Sequence, residues 1–430
     1  MSATTKHSKS IPLIGLLPMI GNLLFIVLVC SPVLFYDEWD GFAGILNRVH
    51  REGFSFAPFW TAHNEHRIVL SKLIYYVQSF VTTDPRWMMA MSAVVWWLTL
   101  LELNRVLKLE PAVDGKLKVA LAVLSSLFFF SQVQAENFYW GFQLCWIIAT
   151  YGAVGAITSV IEKRYLRMLV FFAVSYLALA SWPALAATVG LVLLVDWWKT
   201  KDKKKLAIMV GFGILCVVAL LVYVHGVSTP HHAKMNLGFF QDPVRFVLFA
   251  LTLVGVPFAA MGFIPNLLFG LIFLALFGWI WKKRPEALGR MELYLILYML
   301  IGALVISHGR AGTFEWGHKA AFRWATLFLP AWLAFYAVVI KALGTQRKPL
   351  IVLAVVLAVN VWVSDVKGFD HEKGANESRQ QAGECLDRAL AQPEIDLESA
   401  DAKCALYLYH TPPVLFATAR EWKQRMGRLY

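Results

Sequence analysis

Long apolar runs separated by short charged segments recur along this chain, over residues 11–35, 86–108, 117–134, 141–161, 165–181, 184–198, 206–225, 262–282, 291–308, 322–342 and 349–366. Each approaches the roughly 20 residues that a helix needs to cross a bilayer core about 30 Å thick. The pattern predicts an all-α, polytopic membrane protein with about 11 transmembrane helices. Two further apolar stretches, 67–81 and 244–259, would invert the distribution of basic residues if they crossed. They are expected as interfacial or re-entrant helices on the outer face, where protein or a wet cavity can satisfy their backbone. The first run is long for a signal-peptide core and ends without a small-residue cleavage site, so it is expected as an uncleaved first helix.

Charge placement orients the chain. The net charge is +12, which on composition alone would suit a nucleic-acid partner. However, the loops on the N-terminal side, such as KTKDKKK and KKRPEALGR, hold 21 Lys and Arg; the opposite side holds ten, and the C-terminal tail nine. This is the positive-inside asymmetry. It places the N-terminus in the cytoplasm, puts residues 367–430 outside and gives no reason to invoke nucleic acid. Charged residues make up 16% of the chain and hydrophobic ones 58%, which is far from a soluble composition. The division expected is a transmembrane catalytic unit over 1–366, with a large first outer loop at 36–66, and a small extracytoplasmic unit over 367–430. Cys385 and Cys404 lie in that outer unit; in an oxidising compartment they are placed to form a disulfide, the alternative being two free thiols.

Functional-group variety gathers on the outer face. The first outer loop opens with FYDEWD, which carries Asp37, Glu38 and Asp40, and continues as an amphipathic segment. Read as a helix, it puts Trp39, Phe42, Ala43, Leu46, Val49 and His50 on one face, and Asp37, Asp40, Asn47, Arg48 and Arg51 on the other. That is the pattern of a helix lying in the membrane interface, with acids at its electropositive N-terminus. The loop closes on AHNEHR, which supplies His63, Glu65, His66 and Arg67. A second cationic cluster, SHGRAGTFEWGHKAAFRW, supplies Arg310, Lys319 and Arg323 between two late spans. Carboxylates at such a boundary can act as a general base, and Arg and His can hold a phosphate.

The order of these features resembles the GT-C superfamily, membrane glycosyltransferases that use polyprenyl-phosphate-linked sugars and include protein O-mannosyltransferases and lipid A aminoarabinose transferases. An apolar helix is followed by an Asp-Glu pair in a large first outer loop, then by an interfacial helix, a His-rich approach to a short apolar helix, many spans and a late outer Arg cluster. The resemblance covers about residues 11–366. It implies that Asp37 is the catalytic base, with Glu38 beside it; Asp40 adds a D-x-x-D spacing and leaves open which acid acts. In the superfamily the approach to the next helix often reads His-Pro-Pro, whereas here it reads AHNEHRI, without the prolines. QAENFYWGFQ stands in the place of the second outer loop, so the resemblance implies sugar or acceptor contacts from Glu136, Asn137, Tyr139 and Trp140, joined by His63 and Glu65. Arg310 and Arg323, with Lys319, His66 and Arg67, are the implied ligands of the donor phosphate.

The function that follows is transfer of a sugar from a polyprenyl-phosphate donor to a hydroxyl of a glycan, lipid or protein acceptor, with inversion, on the outer face of a bacterial inner membrane. No cofactor or metal is required by any spacing; Asp37, Asp40, His63, Glu65 and His66 are nevertheless ligand types that suit a divalent cation, and HHAK at 231–234 is read as a solvated loop. The alternatives are a transporter or flippase for a lipid-linked substrate, which would place charges near mid-membrane, and a structural membrane protein, which would not need acids opposite bases. A transferase should bring Asp37 and the Arg310/Arg323 pair to one cavity.

Overall fold

The computed structural model describes residues 10–64, 66–107, 116–226, 241–313 and 322–427. Among them there are helices and connecting turns but no strand; one isolated bridge joins His63 and His66. Among the described residues, eight helices are long and apolar enough to cross a membrane: Arg86–Arg105, Val119–Tyr139, Gly141–Ile161, Lys203–Val224, Phe263–Lys283, Arg290–Arg310, Phe322–Leu343 and Arg347–Leu390. The other three expected spans coincide with shorter or less apolar helices, Ser10–Val29, Tyr165–Tyr176 and Trp182–Thr200. The two stretches expected at the membrane edge form the short helices Val69–Gln78 and Pro243–Val254.

The two ends of the bundle differ in chemistry. At the end where the short basic loops lie, the acids of the spanning helices are paired. Glu102 takes Arg105 at 2.7 Å and Arg167 at 2.9 Å, Asp196 pairs with Arg290, and Glu292 pairs with Lys341. The opposite end carries the first outer loop, the turns at 131–143 and 177–181, and the C-terminal unit.

The span over 119–139 breaks at Phe130–Gln134, and side chains take over the freed backbone groups. Trp96 Nε1 and Gln134 Nε2 donate to the Phe129 carbonyl at 2.7 and 3.0 Å, and the Gln132 N–H donates to Asp365 Oδ1 at 2.9 Å. A helix interruption at membrane depth is tolerated only with such replacement partners. The break lets Ala135–Tyr139 turn across the end of the bundle.

The expected boundary at 366/367 falls inside a single helix, Arg347–Leu390, of 44 residues. At 1.5 Å per residue it is about 66 Å long, twice the bilayer core, so its second half projects beyond the other helices. There Glu372, Asn376, Arg379, Ala382, Cys385, Leu386 and Ala389 form one buried stripe. Asn376 Oδ1 accepts from the Ser31 N–H at 2.8 Å, and Arg379 Nη1 donates to the Tyr139 carbonyl at 2.7 Å. A disulfide joins Cys385 to Cys404, and the last helix, Pro412–Met426, buries Leu415, Phe416, Ala419 and Trp422. That helix packs on the first outer loop: Asn47 Nδ2 donates to the Thr418 carbonyl at 3.1 Å, and Arg51 pairs with Glu421 at 3.1 Å. The amphipathic segment of the loop, a π turn over Trp39–Ala43 and a helix over Gly44–Glu52, therefore buries its expected apolar positions Trp39, Phe42, Ala43 and Leu46. Two residues depart from the expected faces. Asn47 is buried under the last helix, and His50 is exposed.

Closing a loop of this length constrains the unfolded tail by about 3 kcal/mol. The double substitution Cys385→Ser, Cys404→Ser is expected to raise the rate of limited proteolysis across 391–411 at least tenfold while leaving cleavage of the loops at the basic end unchanged.

Candidate functional site

A cavity of about 410 Å³ opens at the end of the bundle opposite the basic loops, between the first loop and the helices that begin at Leu144 and Trp182 or run through Arg290–Arg310 and Ala325–Leu343. It is lined by the polar residues Asp37, His63, His66, Gln143, Arg310 and Arg323 and by apolar residues that include Leu179, Met299, Ile306, Leu327 and Phe328. Asp37, Arg310 and Arg323 thus line one cavity.

Asp37 is set in place by its neighbours. Tyr36 adopts a left-handed conformation (φ 48°), and its N–H donates to the Leu408 carbonyl of the C-terminal unit at 2.6 Å. Glu38 is fully buried and does not line the cavity. Its Oε2 accepts from the Phe35 N–H at 2.8 Å and its Oε1 from the Phe142 N–H at 3.0 Å, which ties the first loop to the second outer segment. Residue 141 must be glycine here, because a Cβ would come within 2.8 Å of Glu38 Oε1 and 2.9 Å of the Pro85 carbonyl. Burial pushes the Glu38 carboxyl up to about 7, opposed by the two amides and by Arg379. Glu38 is a structural tie, in contrast to the catalytic role that its place beside Asp37 implied.

His63 stands between the other two acids. Its Nε2 lies 3.5 Å from Asp37 Oδ2 and its Nδ1 lies 3.7 Å from Asp40 Oδ2. The turn that presents it closes by paired backbone bonds between His63 and His66, of 2.7 and 2.9 Å, with Asn64 left-handed at φ 52°. Asn tolerates that conformation better than most residues, so the turn needs no proline. Burial raises the Asp40 carboxyl above its ordinary value, the charge of Asp37 adds to the rise, and His63 and the Tyr409 hydroxyl oppose it. Carboxylate and imidazole donor atoms of Asp37, Asp40 and His63 all lie within 4.8 Å of one another. These three could hold a divalent cation, whose ligand chemistry they fit.

The remaining expected residues divide. His66 lines the cavity, but burial, reinforced by His63 and Arg323, pushes its imidazole down to about 3. It is a neutral hydrogen-bonding group there, not the cation implied for the phosphate. Arg67 does not line the cavity. Its guanidinium donates to the carbonyls of Tyr223, Trp60 and His225 and lies over the Trp60 ring at 4.8 Å. It anchors the loop on the C-terminal end of Lys203–Val224, where the helix dipole favours a cation. Asn137 is buried; its Nδ2 donates to the Arg323 carbonyl at 2.7 Å and to Thr326 Oγ1. Glu136 pairs with the Arg323 side chain at 3.0 Å. These two orient Arg323 from behind. Tyr139 donates to Asn22 Oδ1 at 2.5 Å inside the bundle, and Trp140 Nε1 donates to the Phe35 carbonyl at 3.1 Å. Both are packing residues, and neither lines the cavity in the way a sugar-stacking ring would. Glu65, Lys319 and the tract 231–234 lie outside the described residues.

Sequence reasoning missed Gln143, Trp146, Ser181 and Tyr298, which also line the cavity. Gln143 closes the QAENFYWGFQ segment without standing out within it, and Trp146, Ser181 and Tyr298 are single positions in largely apolar stretches that no spacing sets apart from ordinary packing. Comparison of the chain with protein-family models, curated proteins and solved structures finds no match.

Glu38→Gln keeps the shape of the tie but sets an amide NH2 against one of the two backbone N–H groups. A buried donor left without an acceptor costs about 1–3 kcal/mol. The variant is expected to unfold at a lower temperature in detergent than wild type, and an unchanged transition would remove the structural role.

Proposed function

We propose that this chain is an outer-face membrane glycosyltransferase of the GT-C type, which transfers a sugar from a polyprenyl phosphate to an acceptor hydroxyl. The observation that carries this reading is the shared cavity: Asp37, Arg310 and Arg323 line it together with apolar side chains. A lipid-phosphate donor needs these surroundings, with apolar walls for the first isoprene units, fixed cations for the phosphate and a base on the far side of the anomeric carbon.

In the proposed reaction Asp37 takes the proton of the acceptor hydroxyl as its oxygen attacks the anomeric carbon. The carbon–oxygen bond to the phosphate breaks, and its electron pair leaves on the phosphate oxygen. Arg310 and Arg323 meet that growing charge, a form of stabilisation that is strongest in a water-poor site. A single displacement inverts the anomeric centre. His63, between Asp37 and Asp40, holds the base in line. The chain would cross the membrane 11 times, with a cytoplasmic N-terminus and the cavity on the periplasmic side of a bacterial inner membrane. The acceptor would be a cell-envelope glycan, a lipid or a protein.

A transporter has less support. It would need ionisable groups along a mid-bilayer path. Glu102, Asp196 and Glu292 are instead paired at the basic end, and Asp365 is occupied by the backbone of the broken helix.

The test is transfer of label from radiolabelled polyprenyl-phosphate sugars in membranes with matched amounts of wild-type and Asp37→Asn protein. Asp37→Asn is expected to lose about 100-fold or more of the transfer rate, the usual contribution of a general base, and Arg323→Gln to weaken transfer without altering insertion. Equal rates for wild type and Asp37→Asn would move the base to Asp40. Silence of the wild type with every donor sugar tried would end the transferase reading.

A further inference from the structure

One polar side chain of the cavity is left with an unused acceptor. Gln143 is 3% exposed and lines the cavity, and among the described residues its Oε1 accepts no hydrogen bond. It stands at the N-cap of Leu144–Ile161, but its side chain does not cap that helix. Its backbone N–H donates to the Trp140 carbonyl at 2.9 Å, which fixes the residue in its turn. A buried acceptor without a donor is costly, and native structures keep few of them. Three residues further along, Trp146 is also buried and also lines the cavity, with its ring edge-on to His66 at a centroid distance of 6.2 Å. Residues three apart share a face of a helix, so an amide oxygen and an indole serve the same wall. Among the described residues that line the cavity, Asp37 is the only acid, beside the two guanidinium groups of Arg310 and Arg323.

We infer that Gln143 and Trp146 form the subsite for the donor sugar and that this sugar is a neutral hexose, with one hydroxyl donating to Gln143 Oε1 and its C–H face lying on the Trp146 ring. An amide oxygen only accepts, so its ligand must bring an O–H or N–H. A pyranose offers a rim of hydroxyls and an apolar face together, which matches a wall that pairs one polar group with one aromatic ring. A sugar bearing an ammonium group would meet two like charges and would have no acid beyond the base itself, and such juxtapositions are strongly disfavoured. The cavity, at about 410 Å³, lies near the lower end of small-molecule sites, about 300–1,000 Å³. It suits one sugar phosphate and leaves a longer acceptor glycan outside. The assignment to the donor rests on the transferase reading; recognition of the sugar is measured by binding alone.

The experiment is isothermal titration calorimetry of the full chain in detergent with farnesyl phosphodiesters. One carries a methyl group in place of the sugar, three carry glucose, mannose or galactose, and one carries aminoarabinose. At least one hexosyl diester is expected to bind wild type about tenfold more tightly than the methyl diester, the combined worth of one hydrogen bond and one ring contact, and more tightly than the aminoarabinose diester. Gln143→Leu is expected to weaken that hexosyl diester about fivefold, the worth of one neutral hydrogen bond, and Trp146→Leu to weaken it as well. Both variants should bind the methyl diester as wild type does, which also reports that they are folded. In a monodeoxy series of the same hexose, one position should lose affinity on wild type and lose nothing more on Gln143→Leu. Hexosyl diesters no tighter than the methyl diester, a hexose preference kept in Gln143→Leu, or equal binding of every monodeoxy analogue would overturn the subsite; tighter binding of aminoarabinose would overturn the neutral sugar. Should either variant lose the methyl diester too, the monodeoxy series on wild type decides. Sugar-dependent binding in a wild type silent in transfer would sink the transferase reading and keep the subsite, whereas transfer by a wild type whose binding ignores the sugar would do the reverse.

Discussion

The carboxylate of Glu38 joins two parts of the chain that are 104 residues apart. One oxygen takes the amide of Phe35, where the first span gives way to the loop, and the other takes the amide of Phe142, where the next helix begins after the break. Asp37 is adjacent on one strand of this tie, and Phe142 and Gln143 line the cavity on the other. A buried carboxylate costs several kcal/mol in desolvation unless hydrogen bonds compensate, so two amide donors are the least that such a group requires. The arrangement leaves no room beside it, which explains glycine at 141.

The same principle recurs wherever a helix is interrupted. The break at Phe130–Gln134 frees backbone groups that Trp96, Gln134 and Asp365 satisfy, and the loop anchored by Arg67 uses the carbonyl end of Lys203–Val224. These buried polar residues serve backbone that has left the regular helix. One of them, Asn137, acts at the cavity itself: it holds the backbone of Arg323 while Glu136 holds its side chain. The guanidinium that faces the cavity is therefore positioned from the second outer segment, which the resemblance had assigned to sugar contact.

The C-terminal unit is continuous with the bundle because one helix, Arg347–Leu390, serves both. Its first half meets the requirement for a span and its second half changes to a polar stripe without a turn. Composition changes sharply near 366, but the helix runs on through Gly368 without a turn or a cap. The first loop lies between this projecting helix, the last helix and the cavity, and both faces of its amphipathic segment are in use.

Much of the architecture was legible in the chain itself. Helical class, the apolar helices, the basic end, the acids of the first loop and the pairing of Cys385 with Cys404 all follow from local pattern, because helix rise, apolar run length and charge asymmetry act on consecutive residues. The roles within YDEWD and QAENFYWGFQ did not follow. Asp37 and Glu38 are adjacent and chemically alike, and only the amides of Phe35 and Phe142 turn one inward and leave the other facing the cavity. Asn137 and Tyr139 look equally suited to a sugar or to a core. Their actual partners, Arg323, Thr326 and Asn22, lie more than 100 residues away. Sequence determined which chemistry is present and which end of the bundle it gathers at; tertiary structure decided which groups meet, because hydrogen bonds and ion pairs depend on distance in space and not along the chain.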